Sequence, residues 1–252
     1  MDQLIVLAGG KGTRMCMDLP KVLCPVNGIP IINRLLAGVE TLFSRPIVVI
    51  GYRGGEIMTV LGDTCVYVKQ EEQLGTSHAV QCALSACVTD EYDRIIVVPG
   101  DHPFVSMETL RQITTLAHET SAPVCLATIA LANFDGDFSA FRSFGRIIRN
   151  DKREVIGIIE YKDASEEVRE IREVNVGYYC FDVAWLRENI GKINNKNASG
   201  EYYLTDIVKI AFEQQRMVAS LVIENPYEGL GVNDVSQLHV AQSYELRQRE
   251  NS

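Results

Sequence analysis

Residues 4 to 15 read "LIVLAGGKGTRM". An apolar run without alternation ends in Gly9, Gly10 and Gly12, interleaved with Lys11 and Arg14. A run apolar at every position is a strand buried on both faces, and such a strand calls for helices on both sides of its sheet. Glycine lets a backbone turn sharply and approach a ligand closely. Successive N–H groups in such a loop can face inward as an anion nest, and Lys11 and Arg14 add positive charge. The segment Leu7, Ala8, Gly9, Gly10, Lys11, Gly12 therefore suits a nucleoside triphosphate, with an ordinary tight turn as the plain alternative. Two familiar phosphate loops are excluded. G-x-x-x-x-G-K-[ST] is absent, and Met15 stands where a dinucleotide fingerprint needs its third glycine.

Outward from this stretch, strand-like and helix-like runs alternate. "PIVVIGY" (46–52), "TCVYVKQ" (64–70) and "RIIVVPGD" (94–101) read as strands. Asn27-Gly28 marks a turn, and Pro30 suits the first turn of a helix reaching about Phe43. Further helices are expected from about Gly55, from a cap at Thr76 or Ser77, and from about Ser106. The second of these carries Ala79, Val80, Ala83, Leu84 and Cys87 at helical spacing. This order predicts an α/β protein with a doubly wound, Rossmann-like, mainly parallel sheet. Past Ala122, "APVCLATIAL", "GRIIRN", "VIGIIEY" and "VNVGYYCF" follow with only a short charged helix between them. They predict an antiparallel extension that makes the sheet mixed. Helices near 182–190 and 203–216, a strand "VASLVIE" and a polar helix over 235–249 complete the pattern. There is no internal repeat, and in particular no hexapeptide repeat.

Composition narrows the class. The 252 residues are 46% hydrophobic and 23% charged, as in ordinary globular proteins. Acids outnumber bases by 33 to 24, and the net charge of -9 opposes nucleic acid or an anionic membrane as partner. No stretch approaches the roughly 20 apolar residues of a membrane span, and residues 4–8 are too short for a signal peptide. Seven scattered cysteines form no C-x-x-C pair, so reduced thiols in a cytoplasmic enzyme are expected.

The next stretch adds a third cation. In "DLPKVLCPVNGIP" (18–30), Pro20 holds Leu19 extended and delivers Lys21 from a fixed backbone. The glycine loop, Arg14 and Lys21 together resemble the signature of the sugar-phosphate nucleotidyltransferases, L-x-x-G-x-G-T-R-M followed by P-K-x-L. Downstream, "EEQLGTSHAV", "PGDHPFV", "FGRIIR", "GIIEYKDAS", "EVNVGYY", "NNKNASGEYYLTDIV" and "GVND" stand in the order of the N-acetylglucosamine-1-phosphate uridylyltransferases. Those form the N-terminal half of bifunctional enzymes that also acetylate glucosamine-1-phosphate. The resemblance runs from Leu4 to about Leu238.

The resemblance implies a nucleotidyltransferase (glycosyltransferase-A-like) fold in a single domain over 1–252. Residues 1–121 would bind nucleotide, 122–232 sugar, and 233–252 would form a C-terminal helix. No left-handed β-helix acetyltransferase domain is expected. The implied reaction transfers UMP from UTP to N-acetylglucosamine-1-phosphate, giving pyrophosphate and UDP-N-acetylglucosamine, a peptidoglycan precursor. Arg14 and Lys21 would be catalytic. Residues 7–12 with Gln70, Gly75 and Thr76 would hold the nucleotide, and Gly100, Gly145, Glu160 and Asn175 the sugar. Mg²⁺ would be the cofactor, on Asp101 and Asn233. The family's trimer is held largely by the domain absent here, so a monomer or weak homodimer is expected.

Each residue also has a plainer reading. Asp101 could be a turn or cap residue, although the carboxyl end of a strand is where such sheets bind ligands. Asn233 could cap the last helix, Gln70 could be an exposed amide, Glu160 could be strand surface, and Arg14 and Lys21 solvated cations. Rival functions are another sugar-1-phosphate nucleotidyltransferase, such as one acting on UTP and glucose-1-phosphate, and a non-catalytic nucleotide-binding module. Three positions depart from the pattern: Pro99 where tyrosine is common, Val176 where threonine is common, and Gly9-Gly10 where Ala-Gly is commoner. The first two are expected near the sugar. His78 and His102 receive no role.

Overall fold

A computed structural model describes residues 2–10, 19–86 and 92–250. Its elements, in chain order, are β1 (Asp2–Ala8), β2 (Pro25–Val26), β3 (Ile29–Pro30), α1 (Ile31–Ala37), β4 (Ile47–Ile50), α2 (Gly54–Leu61), β5 (Val66–Lys69), α3 (Thr76–Ala86), β6 (Arg94–Pro99) and α4 (Met107–Thr120). The second half supplies β7 (Val124–Ala130), β8 (Arg146–Arg149), β9 (Val155–Ile159), α5 (Glu166–Arg169), β10 (Glu173–Asp182), α6 (Val183–Asn189), α7 (Asp206–Glu213), β11 (Val218–Val222) and α8 (Val235–Glu250).

The unbroken apolar run in β1 is explained by two cores. Leu4, Val6 and Ala8 pack with Leu35 of α1, Ile57 of α2 and Leu110 and Ile113 of α4. Ile5 and Leu7 face the opposite core, with Val80 and Ala83 of α3, Leu186 of α6 and Ile207 of α7. Successive strand residues point to opposite faces, so burial on both sides demands an apolar residue at every step.

These strands form a nine-stranded sheet of order β11-β7-β10-β6-β1-β4-β5, with β8 paired to β10 and β9 to β8. β5, β4, β1 and β6 run parallel, and β11 is parallel to β7. β10 runs antiparallel to both β6 and β7, and β8 antiparallel to β9 and β10. The sheet is mixed and mainly parallel, as expected. β4 and β6 lie on opposite sides of β1, so the strand order reverses there. That reversal opens a crevice at the carboxyl ends of β1 and β6, where sheets of this type bind ligands.

β10 widens the crevice. It pairs with β6 only from Tyr179 onward, and its register with β7 breaks between Asn175 and Tyr179. Such irregularities re-aim side chains and end pairing locally. A third cluster, including Val26, Ile31, Val232 and Leu238, seats α8 on the β2–β3 hairpin. That hairpin turns at Asn27 and Gly28, both with positive φ, as a two-residue type I′ loop requires.

Three helix expectations are corrected. The helix after Pro30 ends at Ala37 rather than Phe43. Gly38 there packs its backbone close to the Val105 carbonyl, and irregular turns follow. The 203–216 helix is regular only from Asp206 to Glu213, because residues 204 and 205 turn their polar groups toward the crevice. α3 begins at Thr76 itself, and the Thr76 hydroxyl accepts from the Leu204 N–H at 3.0 Å.

Candidate active site

The crevice is a cleft of about 430 Å³. Leu7, Ala8, Gly9 and Gly10 form its floor at the end of β1, and Pro99 and Asp101 continue it at the end of β6. Gly9 is a place of close approach: a Cβ there would come 3.0 Å from Gln70 Oε1 and 3.6 Å from the Gly51 nitrogen. Its φ is not in the left-handed region, so proximity, not turn geometry, requires glycine. Lys11, Gly12 and Arg14 lie outside the described residues.

Three distant segments meet at one point. Lys21 Nζ is 2.6 Å from Asp101 Oδ2 and 2.8 Å from Asn233 Oδ1. Lys21 opens a short 3-10 turn after Pro20. The Val232 N–H donates to the Asp101 carbonyl at 2.9 Å, which ties the 231–233 segment to the end of β6. Neither polar residue is a cap. Ser106 caps α4 through the Thr109 N–H. Asp234 accepts from the Gln237 N–H at 2.9 Å at the start of α8, and Gln237 accepts from the Asn233 N–H. The Asn233 side-chain oxygen is thereby left to accept from Lys21.

Asp101 is 7% exposed. Burial, the largest single influence, would raise its carboxyl, but the Lys21 charge, the His102 ring, the Lys21 hydrogen bond and a backbone hydrogen bond together hold the group below its ordinary value. His102 behind it is pushed down to about 4 by burial, so the ring is neutral at pH 7. Its Nδ1 faces the Tyr178 hydroxyl at 2.9 Å. Tyr178 donates to the Glu228 carbonyl, so Nδ1 carries the imidazole proton. A neutral ring 3.9 Å from Asp101 makes no ion pair with it. His102 supports the loop under the site.

Two oxygens, one charged and one neutral, thus converge on a single cation, the Lys21 ammonium. Mg²⁺ takes few protein oxygens and keeps substrate phosphates and water for the rest, so Asp101 and Asn233 fit that ion. Among the described residues no group of three His, Cys, Asp or Glu side chains could hold a metal.

On one wall stand Gln70, Gly75 and Thr76. Gln70 is 4% exposed, not a surface amide, and donates to the Gly75 carbonyl at 3.1 Å. Gly75 has φ +121°, and a Cβ there would meet the Tyr202 carbonyl oxygen at 2.6 Å. The Tyr202 N–H donates to the Leu74 carbonyl, and the Ser77 N–H to the Tyr202 carbonyl, so this wall is clamped to the segment before α7.

On the other wall stand Glu160, Asn175, Tyr179 and Thr205. The Thr205 hydroxyl donates to Glu160 Oε1 at 3.1 Å. Burial raises the Glu160 carboxyl; the Thr205 bond opposes this, and Asp206, Asp163 and Glu201 add to it. Gly145 lies beside Glu160 and its carbonyl accepts from the Asn175 N–H at 2.9 Å. Gly100 lies between Pro99 and Asp101, and its N–H donates to the Leu7 carbonyl at 2.9 Å. The expected residues Gln70, Gly75 and Thr76 thus line the same cleft as Glu160 and Asn175, while Gly100, Gly145 and Asn233 are not among its lining residues. Val176 is the correction: it is 2% exposed and packs against Gly229, away from the cleft. Pro99 does line it. Tyr179 and Thr205 are cleft residues that the sequence does not flag individually, although both lie inside the family-like stretches "EVNVGYY" and "EYYLTDIV".

The chain belongs to the MobA-like NTP transferase domain family, matched over residues 4–137. Over 250 residues it is 36% identical to the bifunctional protein GlmU of Caldicellulosiruptor saccharolyticus, covering 98% of this chain and 52% of that protein. It is 41% identical to that of Streptococcus mutans over 231 residues, covering 91% of this chain and 49% of that protein. With the GlmU of Desulfotalea psychrophila it shares 38% identity, over 98% of this chain and 71% of that protein. The chain thus spans about half the length of the first two relatives. The fold matches that of a solved Bacillus anthracis protein, bound to sucrose and named for glucose-1-phosphate thymidylyltransferase activity. That match has a TM-score of 0.71 at 16% identity, covering 97% of this chain and 95% of the other.

Proposed function

We propose that the cleft transfers UMP from UTP to N-acetylglucosamine-1-phosphate, releasing pyrophosphate. The observation that carries this is the meeting of Lys21, Asp101 and Asn233 at one point between the Gln70–Gly75 wall and the Glu160–Asn175 wall. A transferase for a phosphorylated sugar needs that order: base reader, cation centre, hydroxyl reader. The similarity to GlmU proteins supports the choice of substrates.

In the reaction an oxygen of the sugar-1-phosphate attacks the α-phosphorus of UTP. The bond from that phosphorus to the oxygen bridging to the β-phosphorus breaks, and pyrophosphate leaves with the electron pair. The attacking phosphate is already ionised, so no base is needed. Catalysis is positioning and charge neutralisation. Asp101 and Asn233 would hold Mg²⁺, which supplies positive charge to the phosphates. The Lys21 ammonium would neutralise charge on the triphosphate. Gly9 and Gly10 border the phosphates, and Lys11, Gly12 and Arg14, outside the described residues, would add N–H groups and positive charge. Gln70 and the Gly75 backbone read the base edge, and Thr76 borders it. Glu160 accepts from sugar hydroxyls and Asn175 orients the ring, with Gly145 beside Glu160 and Gly100 behind the end of β1.

In this reading residues 1–121 serve the nucleotide and 122–232 the sugar, in one domain. Among the described residues no helix is long and apolar enough to cross a membrane. Cys24, Cys65, Cys82, Cys125 and Cys180 are free thiols, which suits a reducing compartment such as the cytoplasm. The chain would act as a monomer or weak homodimer. The test is initial-rate pyrophosphate release across UTP, CTP, GTP and TTP with N-acetylglucosamine-1-phosphate and glucose-1-phosphate. UTP with the acetamido sugar is expected to be fastest. Equal or faster turnover with glucose-1-phosphate would reject the acetamido assignment, and no turnover with any pair would favour a binding module.

A further inference from the structure

The polarity of the Gln70 amide is fixed twice. Nε2 lies 3.1 Å from the Gly75 carbonyl and 3.1 Å from His78 Nδ1. A carbonyl only accepts, so the atom facing Gly75 is the nitrogen. The second hydrogen of that nitrogen is met by the ring of His78. Nδ1 must therefore present its lone pair, and the imidazole proton sits on Nε2. Nε2 in turn faces Cys82 Sγ at 3.7 Å. His78 and Cys82 lie four residues apart on α3, so they share one face of the helix. Gln70 Oε1 is left beside Gly9, at the cleft. Among the described residues no donor reaches it.

We propose that His78 is a positioning residue that holds the Gln70 amide oxygen toward the cleft and so makes the cleft prefer a base edge that donates there. This rests on the uridylyl-transfer reading above and names the group that sets its base selectivity. Uracil offers N3–H to an amide oxygen. Cytosine presents a lone pair at the same atom. To meet it, the amide would have to turn over, placing Oε1 against the Gly75 carbonyl and forcing the His78 proton from Nε2, where it faces Cys82, to Nδ1. Buried acceptors forced together without a donor are costly. His78 does not line the cleft itself, so it acts through Gln70 alone.

The test compares kcat/KM for UTP and CTP in wild type, His78→Leu and His78→Asn, and reads the His78 ring tautomer in wild type by ¹⁵N NMR. Wild type prefers UTP. His78→Leu removes one of the two acceptors that Gln70 Nε2 meets and narrows the UTP-to-CTP ratio by about 10-fold, chiefly through KM for UTP. His78→Asn places an amide oxygen near the lost Nδ1 and restores most of the ratio. The wild-type ring carries its proton on Nε2. An unchanged ratio in His78→Leu, no restoration in His78→Asn, or a proton on Nδ1 overturns the role of His78 and leaves uridylyl transfer standing. Wild type that uses CTP as well as UTP overturns both. If His78→Leu does not fold, the tautomer and the His78→Asn ratio decide.

Discussion

Replacing Asp101 by asparagine removes one charge and keeps the shape. Breaking a fully buried ion pair costs about 3–5 kcal/mol when the remaining charge is stranded. Here the Lys21 side chain keeps 18% of its exposure and its bond to Asn233, and an asparagine oxygen at 101 could still accept from it. The loss is then a charge-assisted hydrogen bond reduced to a neutral one, about 1 kcal/mol. In a chain of this size that lowers Tm by about 2–4 °C. The effect on turnover is larger. A ligand to the metal supplies transition-state stabilisation of about 3–4 kcal/mol, so the rate falls roughly 10²- to 10³-fold. Pyrophosphate release from UTP and N-acetylglucosamine-1-phosphate at several Mg²⁺ concentrations, with a melt of the same sample, measures both. The variant is expected to melt close to wild type, lose turnover and respond weakly to Mg²⁺. Near-wild-type turnover per folded molecule, or a loss matched by unfolding, would refute the assignment.

Gly75→Ala combines φ +121° with a Cβ 2.6 Å from the Tyr202 carbonyl oxygen; strain of about 1–3 kcal/mol plus this clash should lower Tm by more than about 4 °C and raise KM for UTP. Glu160 has its folded-state pKa raised, so its ionisation costs the folded protein stability as pH rises from its ordinary value of 4.5 through the folded value. Glu160→Gln should therefore gain melting temperature over wild type as pH increases, while binding the sugar phosphate more weakly near neutrality; a constant melting difference between pH 4 and pH 8 would contradict this. Arg146 is 0% exposed and donates to the carbonyls of Arg142, Phe144 and Arg169. Arg146→Met strands those acceptors at about 1–3 kcal/mol each, so Tm should fall by more than about 6 °C, with no rescue by lysine, which lacks the planar fork.

Much of the site was legible because its residues sit where local chemistry fixes them. The apolar run of β1 ends in Gly9 for a steric reason, Pro20 sets the backbone from which Lys21 projects, and Asp101 follows a strand end. The ordering of β10 was not legible. Nothing local in "VNVGYYCF" says that it enters between β6 and β7, because that choice depends on which sheet edge is free when both cores close. The register break that turns Asn175 and Tyr179 toward the cleft is likewise a product of pairing with two neighbours at once. Val176 was misplaced for the same reason. Thr205 falls inside the expected 203–216 helix, but the first turn of that stretch is spent on Glu160 and Thr76 instead. Side-chain partners across long sequence separations, such as Lys21 with Asn233, follow from the fold and from no periodicity.

The most direct measurement is ³¹P NMR of the chain with UTP, Mg²⁺ and N-acetylglucosamine-1-phosphate labelled with ¹⁸O in its phosphate. Attack by the sugar phosphate on the α-phosphorus predicts equal amounts of pyrophosphate and a sugar-nucleotide diphosphate, with ¹⁸O in the new P–O–P bridge and none in the pyrophosphate. Release of pyrophosphate with UMP but no sugar nucleotide, or ¹⁸O in the pyrophosphate, would contradict it.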